Sequence, residues 1–159
     1  MSYLQTAQET LGKVSLFMDF DPHELDAFIE FTDPIRCRKG DVLIRQGEPG
    51  QSLFIVIEGT LEAIVRLENG RNFVLSKLKG GDFFGELSIV DEYPRSANVV
   101  AMEDCVLLKV TSLVVETFFK VYPSAAYKIL LAIARSAVSR VRETDRRYLD
   151  FISRPDKLG

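Results

Sequence analysis

The stretch from Gly80 to Val99, GGDFFGELSIVDEYPRSANV, gathers residue types that bind an anion. Gly85 has no Cβ, so a ligand can approach its main chain closely. The LSIV run that follows reads as a short apolar turn whose first amides lack partners of their own and point partial positive charge outward. Nine residues beyond Glu86, Arg95 follows Pro94 and precedes Ser96. A guanidinium presents forked donors that match two phosphate oxygens, and the adjacent hydroxyl adds another donor. An ionised Glu86 only accepts, taking hydrogen bonds from a hydroxyl pair such as that of a ribose or from Arg95 itself. By residue type, the stretch is either a phosphate cradle or a structural Glu86–Arg95 ion pair set between glycine turns.

A cradle of this kind needs a rigid scaffold on both sides. From Arg36 to Lys109 the chain is made of short β-type runs such as LFIVI at 53–57 and LEAIVRL at 61–67. Gly40, Gly47, Gly50, Gly59, Gly70, Gly80 and Gly81 punctuate them at the close spacing of turns in a sandwich or barrel. Asn69-Gly70, between LEAIVRL and NFVLSKL, is the strongest hairpin signal. A β-roll over about 35–110 is expected. Ahead of it, Asp21 to Phe31 reads as a helix, with Asp21 as cap, Pro22 in the first turn, and Leu25, Phe28 and Ile29 on one face.

Beyond the roll, SLVVETFFKVY and Pro123 lead into a long helix over about 124–152, free of internal glycine and proline. Tyr127, Leu131, Ala134, Val138, Val141, Tyr148 and Ile152 recur every three or four residues, and Asp145 stands where another apolar residue is due. This seam packs either on its own domain or on a second copy of the chain as a homodimer. The expected fold class is mainly β with flanking helices: an antiparallel β-roll, a jelly-roll-like double-stranded β-helix. An N-terminal helix, a short helix in the anion segment and a long C-terminal helix complete one domain over residues 1–159.

Composition excludes several alternatives. A chain of 159 residues with 47% hydrophobic content can build one sizeable core. A formal net charge of −3 gives no bulk reason for nucleic-acid or membrane-surface binding. The first thirteen residues lack the basic start and apolar run of a signal peptide, and no apolar run approaches a transmembrane span. Cys37 and Cys105 lie far apart in sequence and His23 is the sole histidine, which suggests neither a disulfide framework nor a metal site. A reducing cytoplasm is the expected setting. No Ser-His or Cys-His pair can be drawn from the roll, and no enzymatic activity or cofactor is expected.

The run FFGELSIVDEYPRSANVVA resembles the phosphate-binding cassette of the cyclic-nucleotide-binding domain family. That cassette reads Phe-Gly-Glu, a few small or apolar residues, a variable loop, then Pro-Arg, a small residue, Ala and Val. The resemblance extends from about Leu11 to Tyr148. VSLFMDFDPHEL is similar to the family's helical entry, and KGDVLIRQGEPGQSLFIVIEGTLEA to the first half of its roll. The rolls of catabolite activators and of kinase regulatory subunits are of this type.

The resemblance implies a ligand, cyclic AMP or cyclic GMP, and a role for each matching position. Gly85 opens the cassette, Glu86 binds the ribose 2′-hydroxyl, and Arg95 binds an exocyclic phosphate oxygen. The amides of Leu87, Ser88 and Ala97 surround the phosphate. Ser96 follows the arginine where cyclic-GMP binders often carry threonine and some cyclic-AMP binders alanine or serine, so it does not choose the base. Asn98 replaces a common threonine, a departure expected to alter a loop hydrogen bond. Ile64, Val74 and Leu75 are expected to wall the base. The C-terminal helix is implied to close over the pocket as a lid, with Arg140 as its base-contacting residue. The run of Arg135, Arg140, Arg142, Arg146 and Arg147 also reads as a solvated helix face.

The function implied is a regulatory module that senses a cyclic nucleotide and signals to a downstream protein through its C-terminal helix. Only RPDKLG follows Ser153, too little for a helix-turn-helix, so no DNA-binding domain is expected in this chain. Two alternatives stand beside this one: the sensory half of a transcription regulator or other multidomain protein whose effector domain is absent from this chain, and a degenerate scaffold that no longer binds.

Overall fold

The computed structural model describes residues 2–154. Of the expected 1–159 unit, residue 1 and residues 155–159, most of the closing RPDKLG, lie outside the described residues.

Helix α1 (Tyr3–Leu11) opens the chain on a capping box between Ser2 and Gln5, and buries Ala7 and Leu11 four residues apart on one face. A single 3-10 turn at Ser15–Phe17 leads into α2 (Pro22–Glu30). The Asp21 carboxylate accepts the Glu24 amide at 2.8 Å, the Glu24 carboxylate accepts the Asp21 amide at 2.9 Å, and Pro22 fills the first turn.

Among the described residues eight strands follow: β1 (Asp33–Cys37), β2 (Val42–Ile44), β3 (Ser52–Glu58), β4 (Thr60–Arg66), β5 (Asn72–Lys79), β6 (Phe83–Phe84), β7 (Asn98–Ala101) and β8 (Cys105–Thr111). They form two antiparallel four-stranded sheets in the orders β1-β8-β3-β6 and β2-β7-β4-β5, the expected roll. Strand β3 is buried on both faces, which explains its unbroken apolar run. Leu53, Ile55 and Ile57 pack with Phe17, Phe28 and Phe118 of the helical layer. Phe54 and Val56 point the other way, into the roll with Leu61, Ala63, Phe84, Val99 and Leu107. Asn69-Gly70 turns β4 into β5, with Gly70 at φ +80° and Arg66 paired to Asn72.

Strand pairing brings the two cysteines together. Although distant in sequence, Cys37 and Cys105 are direct partners across β1 and β8, both buried and both free thiols. Burial, with Cys105 as a second cause, pushes the Cys37 thiol up to about 11.

Two helices close the structure. Thr111 caps α4 (Ser112–Val121), and α5 runs from Pro123 to Ile152. One face of α5, carrying Ala125, Ala126, Ile129 and Ile133, is buried in the helical layer. Lys128 Nζ adds bonds of 3.1 and 2.8 Å to the two Glu24 oxygens on α2. Tyr127, Val138, Val141, Tyr148 and Ile152 of the expected seam lie exposed on α5. No helix among the described residues is long and apolar enough to cross a membrane.

Candidate ligand-binding site

The two parts of the anion segment reach the same place from opposite directions. Gly85, at φ +78° after β6, turns the chain into the four-residue α3 (Leu87–Val90). Arg95 returns on the strand entry to β7, where its main chain is fixed to the β2–β3 turn. Its amide donates to Glu48 O at 2.9 Å and its carbonyl accepts from the Gly47 amide at 2.8 Å. The Asn98 side chain accepts the Gln46 amide at 2.8 Å.

The Arg95 side chain lies across the cassette. Nη2 donates to Ser52 O at 2.8 Å, and Nη1 donates to Gly85 O at 3.3 Å and to Ser88 Oγ at 3.1 Å. It bonds carbonyls and a hydroxyl, and Glu86 is not its partner, so the structural Glu86–Arg95 ion pair is not formed. These bonds use three of the five guanidinium N–H groups, leaving Nε–H and one Nη2–H without a protein acceptor among the described residues.

Two glycines make room for this side chain. A Cβ on Gly50 would overlap Arg95 Nε and Cζ, and one on Gly85 would stand 2.6 Å from Nη1 and 2.8 Å from Ser52 O. Burial lowers the Arg95 pKa from its ordinary value, so the guanidinium gains from any anion that restores the solvation it has lost. Two main-chain donors stand nearby: among the described residues the amides of Leu87 and Ala97 have no acceptor, and Ala97 is buried. An amide without a protein partner in a residue that lines a cavity marks a place where a ligand oxygen fits. The Ser88 amide differs, donating to Gly85 O at 3.2 Å while its hydroxyl donates to Gly85 O at 2.7 Å, with Ser52 O at 3.2 Å as the alternative acceptor.

These groups open on a cavity of about 540 Å³, within the range of small-molecule sites. Of the expected residues, Gly85, Glu86, Leu87, Ser88, Arg95, Ser96, Ala97, Leu75 and Arg140 line it. Ile64 and Val74 do not. They pair with each other across β4 and β5, next to a register shift between Ala63 and Ile64, and Val74 is exposed. Directly paired residues share a face, so Ala63 and its partner Ser76 line the cavity while the Ile64–Val74 pair does not, and Leu75, left without a partner by the shift, lines it as well. Ile44, Ala63, Leu78 and Val99 supply the apolar wall, with the Ser76 hydroxyl among them. Tyr93, 76% exposed, stands at the rim.

Glu86 is only 2% exposed, and its partner is Arg140 of α5, whose side chain is 52% exposed. Apart from that guanidinium, Glu86 Oε1 has no polar partner among the described residues. Burial lowers the Arg140 pKa as it does that of Arg95. The remaining arginines of the run do not line the cavity; Arg135 approaches Asp19 at 3.6 Å and Arg147 pairs with Glu143 along the exposed face.

Sequence reasoning passed over Gly50, Ser52, Ser76 and the apolar residues Ile44 and Leu78. Gly50 carried a signal, being the second glycine of the GEPG turn. Ser52 acts through its carbonyl, which every residue type possesses.

Comparison with known proteins gives the family. The family model described as Cyclic nucleotide-binding domain matches residues 34–122. A cAMP-dependent protein kinase regulatory subunit of Dictyostelium discoideum is 31% identical over 98 residues, 60% of this chain and 30% of that protein. The Thermus thermophilus catabolite activator protein aligns at TM-score 0.76 and 31% identity, covering 87% of this chain and 63% of that one. The regulatory domain of Toxoplasma gondii PKA, solved with cAMP, aligns at TM-score 0.67 and 26% identity, covering 84% of this chain and 49% of that one. The chain thus spans less than two thirds of each of these relatives.

Proposed function

The chain belongs to the cyclic nucleotide-binding domain family, and we propose that it is a single regulatory domain that binds cyclic AMP or cyclic GMP in the cavity between Arg95 and Arg140. The carrying observation is the set of unused donors around Arg95: its own Nε–H and Nη2–H and the amides of Leu87 and Ala97. A singly charged cyclic phosphate supplies acceptors for all of them, and its placement at Arg95 sets the ribose toward Glu86. Ser96 adds a hydroxyl, and the base runs toward Ile44, Leu75 and Leu78, with Ser76 able to meet a polar edge. The related Dictyostelium and Toxoplasma proteins are cAMP proteins by name, which supports cyclic AMP as the first ligand to try.

The output in this reading is movement of α5, passed to a downstream protein or a second copy of the chain, in the cytoplasm and without catalysis. Homodimerisation through α5 is supported by its exposed apolar seam, which lies away from the buried Ile129–Ile133 face. Isothermal calorimetry with cyclic AMP, cyclic GMP and linear 5′-AMP tests the binding. Heat with one or both cyclic nucleotides and much weaker heat with the linear one is expected. No heat with either cyclic form at high micromolar concentration would leave a degenerate scaffold as the better reading.

A further inference from the structure

Between the cassette and α5 the cavity has a wall of strands. Ile44 of β2, Ala63 of β4, Leu75 and Leu78 of β5 and Val99 of β7 make that wall apolar. Ser76 of β5 is its one polar side chain among the described residues. The other polar residues of the lining lie elsewhere. Those between 86 and 96 belong to the segment that faces phosphate and ribose, and Arg140 is drawn to Glu86. Ser76 pairs directly with Ala63, just before the register shift at Ile64. So small a partner leaves the serine hydroxyl uncovered, and Ser76 is exposed.

With the phosphate at Arg95 and the ribose at Glu86, the base is left to this wall, where Ser76 alone can bond it. A serine hydroxyl both donates and accepts, and it rotates to suit its partner. Adenine presents an amino group at position 6 and guanine an oxygen. An arginine or a carboxylate facing that edge would reward one base and penalise the other. A hydroxyl does neither. We propose that Ser76 is the residue that reads the base, and that it recognises the polar six-membered ring of a purine without choosing between a 6-amino and a 6-oxo group. Cyclic AMP and cyclic GMP are then both ligands. This inference rests on the cyclic-nucleotide reading and assigns that site its selectivity. The charges of the cavity do not depend on the base, because both bases are neutral, Arg95 balances the phosphate and Arg140 stays with Glu86. Selectivity is a difference of two affinities, and the bond to Ser76 contributes to both.

Calorimetry on the full chain tests this with the wild type and Ser76→Ala. The probes are cyclic AMP, cyclic GMP and the cyclic phosphate of benzimidazole riboside, whose base has the shape of a purine and no polar atom in its six-membered ring. The wild type is expected to bind the two natural nucleotides within about tenfold of each other. Ser76→Ala is expected to weaken both by about fivefold, the worth of one hydrogen bond. Its affinity for the benzimidazole nucleotide should be unchanged, which also shows that the variant is folded. A wider gap between the natural nucleotides in the wild type overturns the proposal, as does a loss confined to one of them or an equal loss with the benzimidazole nucleotide. If Ser76→Ala binds both natural nucleotides as tightly as the wild type, Ser76 does not read the base and the binding reading stands. If the wild type gives no heat with either, the binding reading fails and the selectivity falls with it.

Discussion

The cavity is bounded on one side by the cassette and the β2–β3 turn and on the other by the outer half of α5, and the two sides are held by different means. On the cassette side, Arg95 alone makes two main-chain and three side-chain hydrogen bonds, and two glycines are shaped around it. On the α5 side, Arg140 makes one ion pair and the helix beyond it is exposed. Recognition benefits from donors already in place, because a ligand then does not have to order them. Transmission benefits from an element of low local stability, which a few contacts can shift. The helix itself repeats the contrast, its first half being anchored by Ile129, Ile133 and the Lys128–Glu24 pair.

Substitutions along this divide should give graded effects. Ile133→Ala removes an anchor from the packed half of α5 and should cost about 2–5 kcal/mol of stability in urea unfolding; a loss below that range would mean that the anchored half is no firmer than the free one. Gly85→Ala forces a positive φ on alanine and pushes its Cβ toward Arg95. A loss of more than about 1 kcal/mol is expected in the same assay, with weaker nucleotide binding because the guanidinium is displaced. Val141→Ala, on the exposed seam, should change unfolding of the single chain by no more than about 0.5 kcal/mol. Any effect it has should appear as a lower dimer fraction in sedimentation at high protein concentration.

The sequence made the cassette readable because its chemistry lies in side chains close together in the chain. Gly85, Glu86, Arg95 and the flanking strands could all be located from residue type and spacing. The features that escaped depend on contacts between distant segments. Arg95 is held by the Ser52 carbonyl, 43 residues upstream, and a carbonyl leaves no mark on composition. Ile64 and Val74 were expected in the base wall because they are apolar. The register shift beside Ile64 puts Ala63 and its partner Ser76 there beside the expected Leu75, and leaves the Ile64–Val74 pair out. The Cys37–Cys105 contact depends on β1 pairing with β8, the first strand of the roll with its last. For Arg140, the helix could be read from the pattern, but its ionic partner could not, because that depends on where α5 crosses the roll.

The central claim is that Arg95 grips a cyclic phosphate. Its most direct test is a calorimetric titration of the wild type and Arg95→Ala with cyclic AMP, and with cyclic GMP if that is the tighter ligand, with circular dichroism to verify that both are folded. Loss of a charged partner of a buried phosphate costs about 2–5 kcal/mol, so the variant should bind roughly 30-fold more weakly or worse. Equal affinity in two folded proteins would contradict the account, because the nucleotide would then be held without the residue around which the site is built.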